Sequence, residues 1–188
     1  MKAVLLRAAA IFKSFERWIT MLAALSMFAI MIIAAADVGM RYLFNAPFIW
    51  AHELISLYLV PILVYFAISA TFAVHGHISV DLLQYRIPDR ARHACYMVSS
   101  ALVSALFAAL VVQAFHRSLD EYLAGNVLAG VIAWPVWPSS AIVVLGSLML
   151  CLRAGVDAVL RAMTLFSHRE VVELPPLAVE DEMQLEPL

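Results

Sequence analysis

Arg41-Tyr42-Leu43-Phe44-Asn45-Ala46-Pro47-Phe48-Ile49-Trp50-Ala51-His52-Glu53 lies between two apolar runs of membrane length. Ionisable groups at the edge of lipid are costly and need partners or water. This stretch gathers Arg41, His52 and Glu53 at such an edge, with Asn45 among them. Proline fixes φ and pushes the residue before it out of the helical region, so Asn45-Ala46-Pro47 reads as a turn that reverses the chain. Trp50 then anchors the next apolar run. Glu53 falls in its first turn, where the helix dipole favours a carboxylate. That dipole is one reading of Glu53, and contact with Arg41 or with a partner subunit is the other. Asp37 and Arg41 are four apart and share a helix face, either as an ordinary interfacial pair or as a brace for the end of the first span.

Working outward, four apolar runs are long enough to span a bilayer, which takes about 20 residues. They cover roughly residues 19–36, 54–74, 94–115 and 136–152. Trp18, Trp50, Trp134 and Trp137 edge these runs, as an interfacial aromatic belt requires. The fold class is therefore an all-α integral membrane protein of four transmembrane helices, with its membrane domain over residues 19–165. Composition agrees: the chain is 64 % hydrophobic and 14 % charged, with a mean hydropathy of +0.91. A soluble domain has about 25 % charged residues. No basic patch interleaved with aromatics is present, which argues against a nucleic-acid partner.

Lys and Arg set the orientation. Ten of the twelve fall in the N-terminal tail, the second loop and the C-terminal segment, and only Arg41 and Arg117 lie in the other two loops. The positive-inside rule then puts both termini in the cytoplasm, the Arg41–Glu53 loop outside and the loop around Gly76–Arg92 inside. The basic tail, apolar run and Ala34-Ala35-Ala36 also look like a signal peptide, but the run is long for one, and a retained first span is the reading adopted. Residues 1–18 carry Val4, Leu5, Ala8, Ile11, Phe12 and Phe15 at helical spacing. They form either an amphipathic interfacial helix that attracts membrane lipid or an extension of the first span. Residues 166–188 are acidic and proline-containing and read as a disordered tail.

Several features bear on packing. Pro61 inside the second span removes a backbone hydrogen bond and is expected to kink it. Ser100, Ser104 and Ala108 make a row of small residues that permits close helix approach. Cys95 and Cys151 read as packing residues, with no disulfide or metal framework. After the second span comes a polar cluster, His75-Gly76-His77-Ile78-Ser79-Val80-Asp81, in which His77 and Asp81 are spaced to pair on one helical face.

No catalytic set emerges: there is no HExxH, GxSxG or Walker loop. Two histidines from different helices can bind haem iron, and His52, His75, His77, His93 and His116 all lie near span ends. No histidine sits inside a predicted span, so a redox-active haem protein is the alternative reading, and a stand-alone tetraspan structural protein is a third. Charges are sparse in the middle of every span and no inverted repeat is visible, so the features that build a midplane transport site are missing.

These residues carry a resemblance. Arg41-Tyr-x-Phe-Asn-x-Pro-x-x-Trp-Ala-x-Glu53, then Gly76-His77-Ile-x-Val-Asp81, then Trp134-Pro-x-Trp-Pro138 resemble the DctQ-like small membrane subunit of tripartite ATP-independent periplasmic (TRAP) transporters. The likeness covers about residues 15 to 165. One position departs from the pattern: the family often has two acidic residues after Trp-Ala, and here the first is His52. The resemblance implies a multi-pass scaffold in the bacterial inner membrane, binding neither cofactor nor substrate and acting as no enzyme. It would brace a large membrane subunit that carries the solute and sodium sites and moves as an elevator. A periplasmic solute-binding protein would deliver the solute, commonly an organic acid, with uptake driven by an ion gradient. Arg41, Asn45, Pro47, Trp50 and Glu53, with Trp134 and Pro138, would shape the outer side. Gly76, His77 and Asp81 would set the inner loop.

Overall fold

The computed structural model describes residues 2–73, 88–130 and 132–167. Helix α1 is Lys2–Phe44. The second span is composite: α2 is Ala51–Leu54, a π-helical turn covers Ile55–Leu59, and α3 is Val60–Ala73. Helix α4 is Asp89–Leu123 and α5 is Trp137–Ser167. Among the described residues the chain is helical, with a single isolated β-bridge between Val127 and Pro135. Among the described residues four helices are long and apolar enough to cross a membrane.

Helices α1, α4 and α5 outlast the apolar runs that mark them. α1 has 43 residues, about 65 Å at 1.5 Å per residue. It runs unbroken through the segment before Ile19.

The disruption at Pro61 takes the form of a π turn. Proline has no N–H and its ring crowds the carbonyl one turn back. The helix widens just ahead of it, and the Val60 N–H reaches five residues back to the Ile55 carbonyl. Ser56 Oγ donates to the His52 carbonyl at 2.8 Å.

The helices form a row. α1 packs on α3, α3 on α5, and α5 on α4, which leaves α1 and α4 at the edges. Among its described side chains α1 accordingly buries a stripe through Ile19, Ala23 and Ser26. Ile19, Ala23 and Phe66 make a small apolar core, with Ile62, Ile142 and Met149 against it. Gly146 of α5 allows a close approach: a Cβ there would lie 2.5 Å from the Tyr65 carbonyl oxygen of α3.

α4 and α5 run antiparallel under a ladder of polar contacts. Ser100 Oγ donates to Asp157 at 2.6 Å, Ser104 Oγ to the Cys151 carbonyl at 3.1 Å, and Ser140 Oγ to Glu121 at 2.6 Å. The small-residue row thus packs through Ser100 and Ser104, while Ala108 is exposed. Cys151 lies at this interface, whereas Cys95 is exposed.

The interior holds many polar side chains and the exterior many large apolar ones. Ser26, Ser69, Ser100, Ser140, Ser147, Thr164, Glu121 and Arg161 are buried, while Trp18, Leu25, Phe28, Met31, Leu102, Leu106, Val156 and Met163 point outward. A water-soluble monomer rarely exposes so much contiguous apolar surface. Between helices in lipid, small and hydroxyl residues supply the close packing and the hydrogen bonds.

Candidate functional site

Two loops meet at one end of the row. In the first, Asn45 takes the left-handed conformation with φ of 52° and ends α1. Asparagine tolerates that region better than other side-chain-bearing residues, which is why a turn can form here without glycine. The Ala46 N–H returns to the Met40 carbonyl at 3.2 Å. Pro47 follows, the Ala51 N–H bonds the Phe48 carbonyl at 3.1 Å, and the rings of Phe48 and Trp50 stack with centroids 5.5 Å apart.

Asp37 holds this corner. Its Oδ2 accepts from Arg41 Nη2 at 3.0 Å and its Oδ1 accepts from the Phe48 N–H at 2.7 Å. The first contact is the pair anticipated from the spacing. The second ties the loop back to the helix across eleven residues, a distance at which no sequence periodicity signals a partner. Arg41 is therefore committed to Asp37, and among the described residues no ion pair joins it to Glu53.

In the second loop Gly125, with φ of 61°, turns the chain after α4. A short antiparallel crossing follows, with the Leu128 N–H on the Trp134 carbonyl at 2.8 Å and the Val136 N–H on the Asn126 carbonyl at 3.2 Å. Pro138 sits in the first turn of α5, where a missing N–H costs nothing. Trp137 meets Tyr122 edge-on at 5.5 Å. Below it the buried Glu121 accepts from Arg117 Nε at 2.8 Å and from Ser140, fastening the ends of α4 and α5 together.

The second span bridges these loops. Tyr58 OH donates to the Pro135 carbonyl at 2.6 Å, and its ring meets Trp134 edge-on at 5.8 Å. One turn earlier the Glu53 carboxylate lies against Gly130, in space that a Cβ would occupy. The structure thus brings Glu53 and Trp134 into one corner, with the Arg41–Asp37 pair on the last turns of α1 before the adjoining loop. Tyr42, Leu43, Phe44 and Ile49 stand exposed around it. Gly76, His77 and Asp81 lie outside the described residues.

Toward the opposite end the structure adds charged groups that the sequence placed in flanking segments and gave no partner. Glu16 of α1 accepts from Ser69 of α3 at 3.0 Å and pairs with Arg153 of α5, so one carboxylate ties three helices. Asp157 accepts from Arg161 Nε at 2.9 Å as well as from Ser100. Arg161 has no exposure, and its guanidinium lies over the Tyr96 ring, 4.7 Å from the centroid. His93, anticipated just outside the third span, is inside α4 and buried. Among the described residues no three His, Cys, Asp or Glu side chains converge as metal ligands. Carboxylates thus join neighbouring helices, with apolar faces turned outward.

The chain matches a family model over residues 30–164: tripartite ATP-independent periplasmic transporters, DctQ component. No curated protein matches the chain.

Proposed function

Because this chain belongs to the DctQ component family of tripartite ATP-independent periplasmic (TRAP) transporters, we propose that it is the stationary scaffold of such a transporter. It is a multi-pass membrane protein and a small transporter component. In the proposed role it braces a large membrane subunit that moves as an elevator and carries the solute and sodium sites. A periplasmic binding protein delivers the solute, an organic acid or similar anion, and an ion gradient drives uptake by symport.

The observation that carries this reading is the distribution of charge. Glu16, Asp37, Glu121 and Asp157 are each engaged by side chains of this chain, in contacts that join or cap its helices. An elevator needs a frame that does not deform, and intramembrane ionisable groups left over for a solute would be expected in the mobile subunit instead. The clustering of Arg17, Arg90, Arg92, Arg153 and Arg161 toward one end of the row supports cytoplasmic termini in the bacterial inner membrane. On that orientation Arg41, Asn45, Pro47, Trp50, Glu53, Trp134 and Pro138 form the outer corner. Gly76, His77 and Asp81 are proposed for the inner loop.

The test is co-expression with the large membrane protein encoded beside this gene, followed by purification through a tag on this chain in mild detergent. Recovery of both proteins in equal amounts is expected. Recovery of this chain without the large subunit, although both are expressed, would refute the scaffold role.

A further inference from the structure

Glu53 differs from the other carboxylates that the fold shelters. Glu16 accepts from Ser69 and Arg153, Asp37 from Arg41 and Phe48, Glu121 from Arg117 and Ser140, and Asp157 from Ser100 and Arg161. Glu53 Oε2 is buried with no hydrogen-bond donor, while the residue as a whole keeps a partly exposed edge. Both arginines of this end of the row are taken, Arg41 by Asp37 and Arg117 by Glu121. A sheltered carboxylate without a partner is costly, and its place in the first turn of α2 offsets only part of that cost. Gly130 meanwhile leaves room for it that any larger residue would fill.

We propose that Glu53 receives a basic side chain, a guanidinium or an ammonium, from the large membrane subunit, and that this contact fixes the outer corner of the assembly. The inference rests on the scaffold reading. Charge complementarity selects the occupant. A bound metal cation would need several oxygen ligands, whereas among the described residues no three His, Cys, Asp or Glu side chains converge as ligands and the Glu53 carboxylate lies against the Gly130 backbone. An arriving Arg or Lys needs one carboxylate with an accessible edge, which is what Glu53 presents. Trp134 Nε1, itself buried without an acceptor, belongs to the same corner.

The experiment measures retention of the large subunit on this tagged chain across a salt gradient, for wild type, E53Q, E53K and G130A. Losing one member of a sheltered charge pair weakens association by about tenfold or more. E53Q is therefore expected to release the large subunit at least tenfold more readily, and E53K more readily still. G130A keeps the charge but displaces a flexible side-chain end, so it should fall between wild type and E53Q. Each variant is also melted without its partner, and an unchanged melting temperature shows that the fold is intact. If wild type fails to retain the large subunit, the scaffold reading itself fails. If wild type retains it and E53Q and E53K do so equally well, only the role of Glu53 is overturned. Retention that depends on sodium rather than potassium and loses that dependence in E53Q would overturn it in favour of a bound cation. A protonated-carboxyl infrared band in the complex that disappears in E53Q would overturn it in favour of a neutral acid.

Discussion

Replacing Asp157 by alanine separates the energetics of this interior from those of an ordinary surface. Arg161 has no solvent exposure, and its Nη1 and Nη2 have no hydrogen-bond partner. The bond from its Nε to Asp157, at 2.9 Å, is thus its charge-balancing contact, with the Tyr96 ring 4.7 Å away on one face. Removing one partner of a buried ion pair costs about 3–5 kcal/mol, because the other charge is left uncompensated. The ring already contributes in the wild type and cannot replace a carboxylate. Arg161 lies 24 residues along α5 from Trp137, about 36 Å at 1.5 Å per residue, so it sits near a lipid–water boundary. Partial rehydration there puts the expected loss at the lower end, about 3 kcal/mol. Replacing both groups with apolar side chains, Asp157→Leu with Arg161→Met, removes the buried charge altogether and should stay within about 1 kcal/mol of wild type. The two sites are then coupled by about 2 kcal/mol or more. Reversible unfolding in mixed micelles, followed by the fluorescence of the four tryptophans, measures Asp157→Ala, the double variant and the two singles that compose it. A loss under about 1 kcal/mol for Asp157→Ala, or a double variant as unstable as the sum of its singles, would refute this reasoning.

Three further substitutions test other parts of the fold by the same unfolding measurement. Arg41→Ala should cost less than about 1 kcal/mol, because this guanidinium is 60 % exposed and exposed pairs contribute little. Asp37→Ala should cost about 1–3 kcal/mol, because it also strips the Phe48 N–H of its acceptor and an orphaned polar group carries that penalty. Gly146→Ala places a methyl 2.5 Å from the Tyr65 carbonyl oxygen and 2.6 Å from its Cβ. Because backbone cannot step aside cheaply, α3 and α5 must separate, at about 1–3 kcal/mol and with a lower melting temperature.

The four helices and the Asn45–Pro47 reversal were legible because both are local properties. Hydrophobic length counts residues, and proline acts on its own neighbours. The Asp37–Arg41 pair was legible for the same reason, since four residues make one helical turn. The grip of Glu16 on Arg153 was not, because the partners are 137 residues apart and meet only once α1, α3 and α5 are arranged side by side. Arg153 and Arg161 looked like flanking charges for a related reason. A helix that continues past the apolar run carries them alongside its neighbour rather than into water. The π turn before Pro61 was visible only as a disruption, since the residue says that one bond is lost and the surrounding chain decides how. The outer corner was half legible: its residue types announced a specific structure, but the pairing of Glu53 with Gly130 depends on how two loops meet.

The central claim is that this chain stays rigid while its partner moves. In the assembled transporter, spin labels at Leu25 on α1 and Leu106 on α4, both more than 60 % exposed, would report the distance across the row. The large subunit would be locked by cross-links in its outward and then its inward state. The account predicts one narrow distance distribution, unchanged between the two states. A shift of several ångströms would contradict it and make this chain part of the moving machinery.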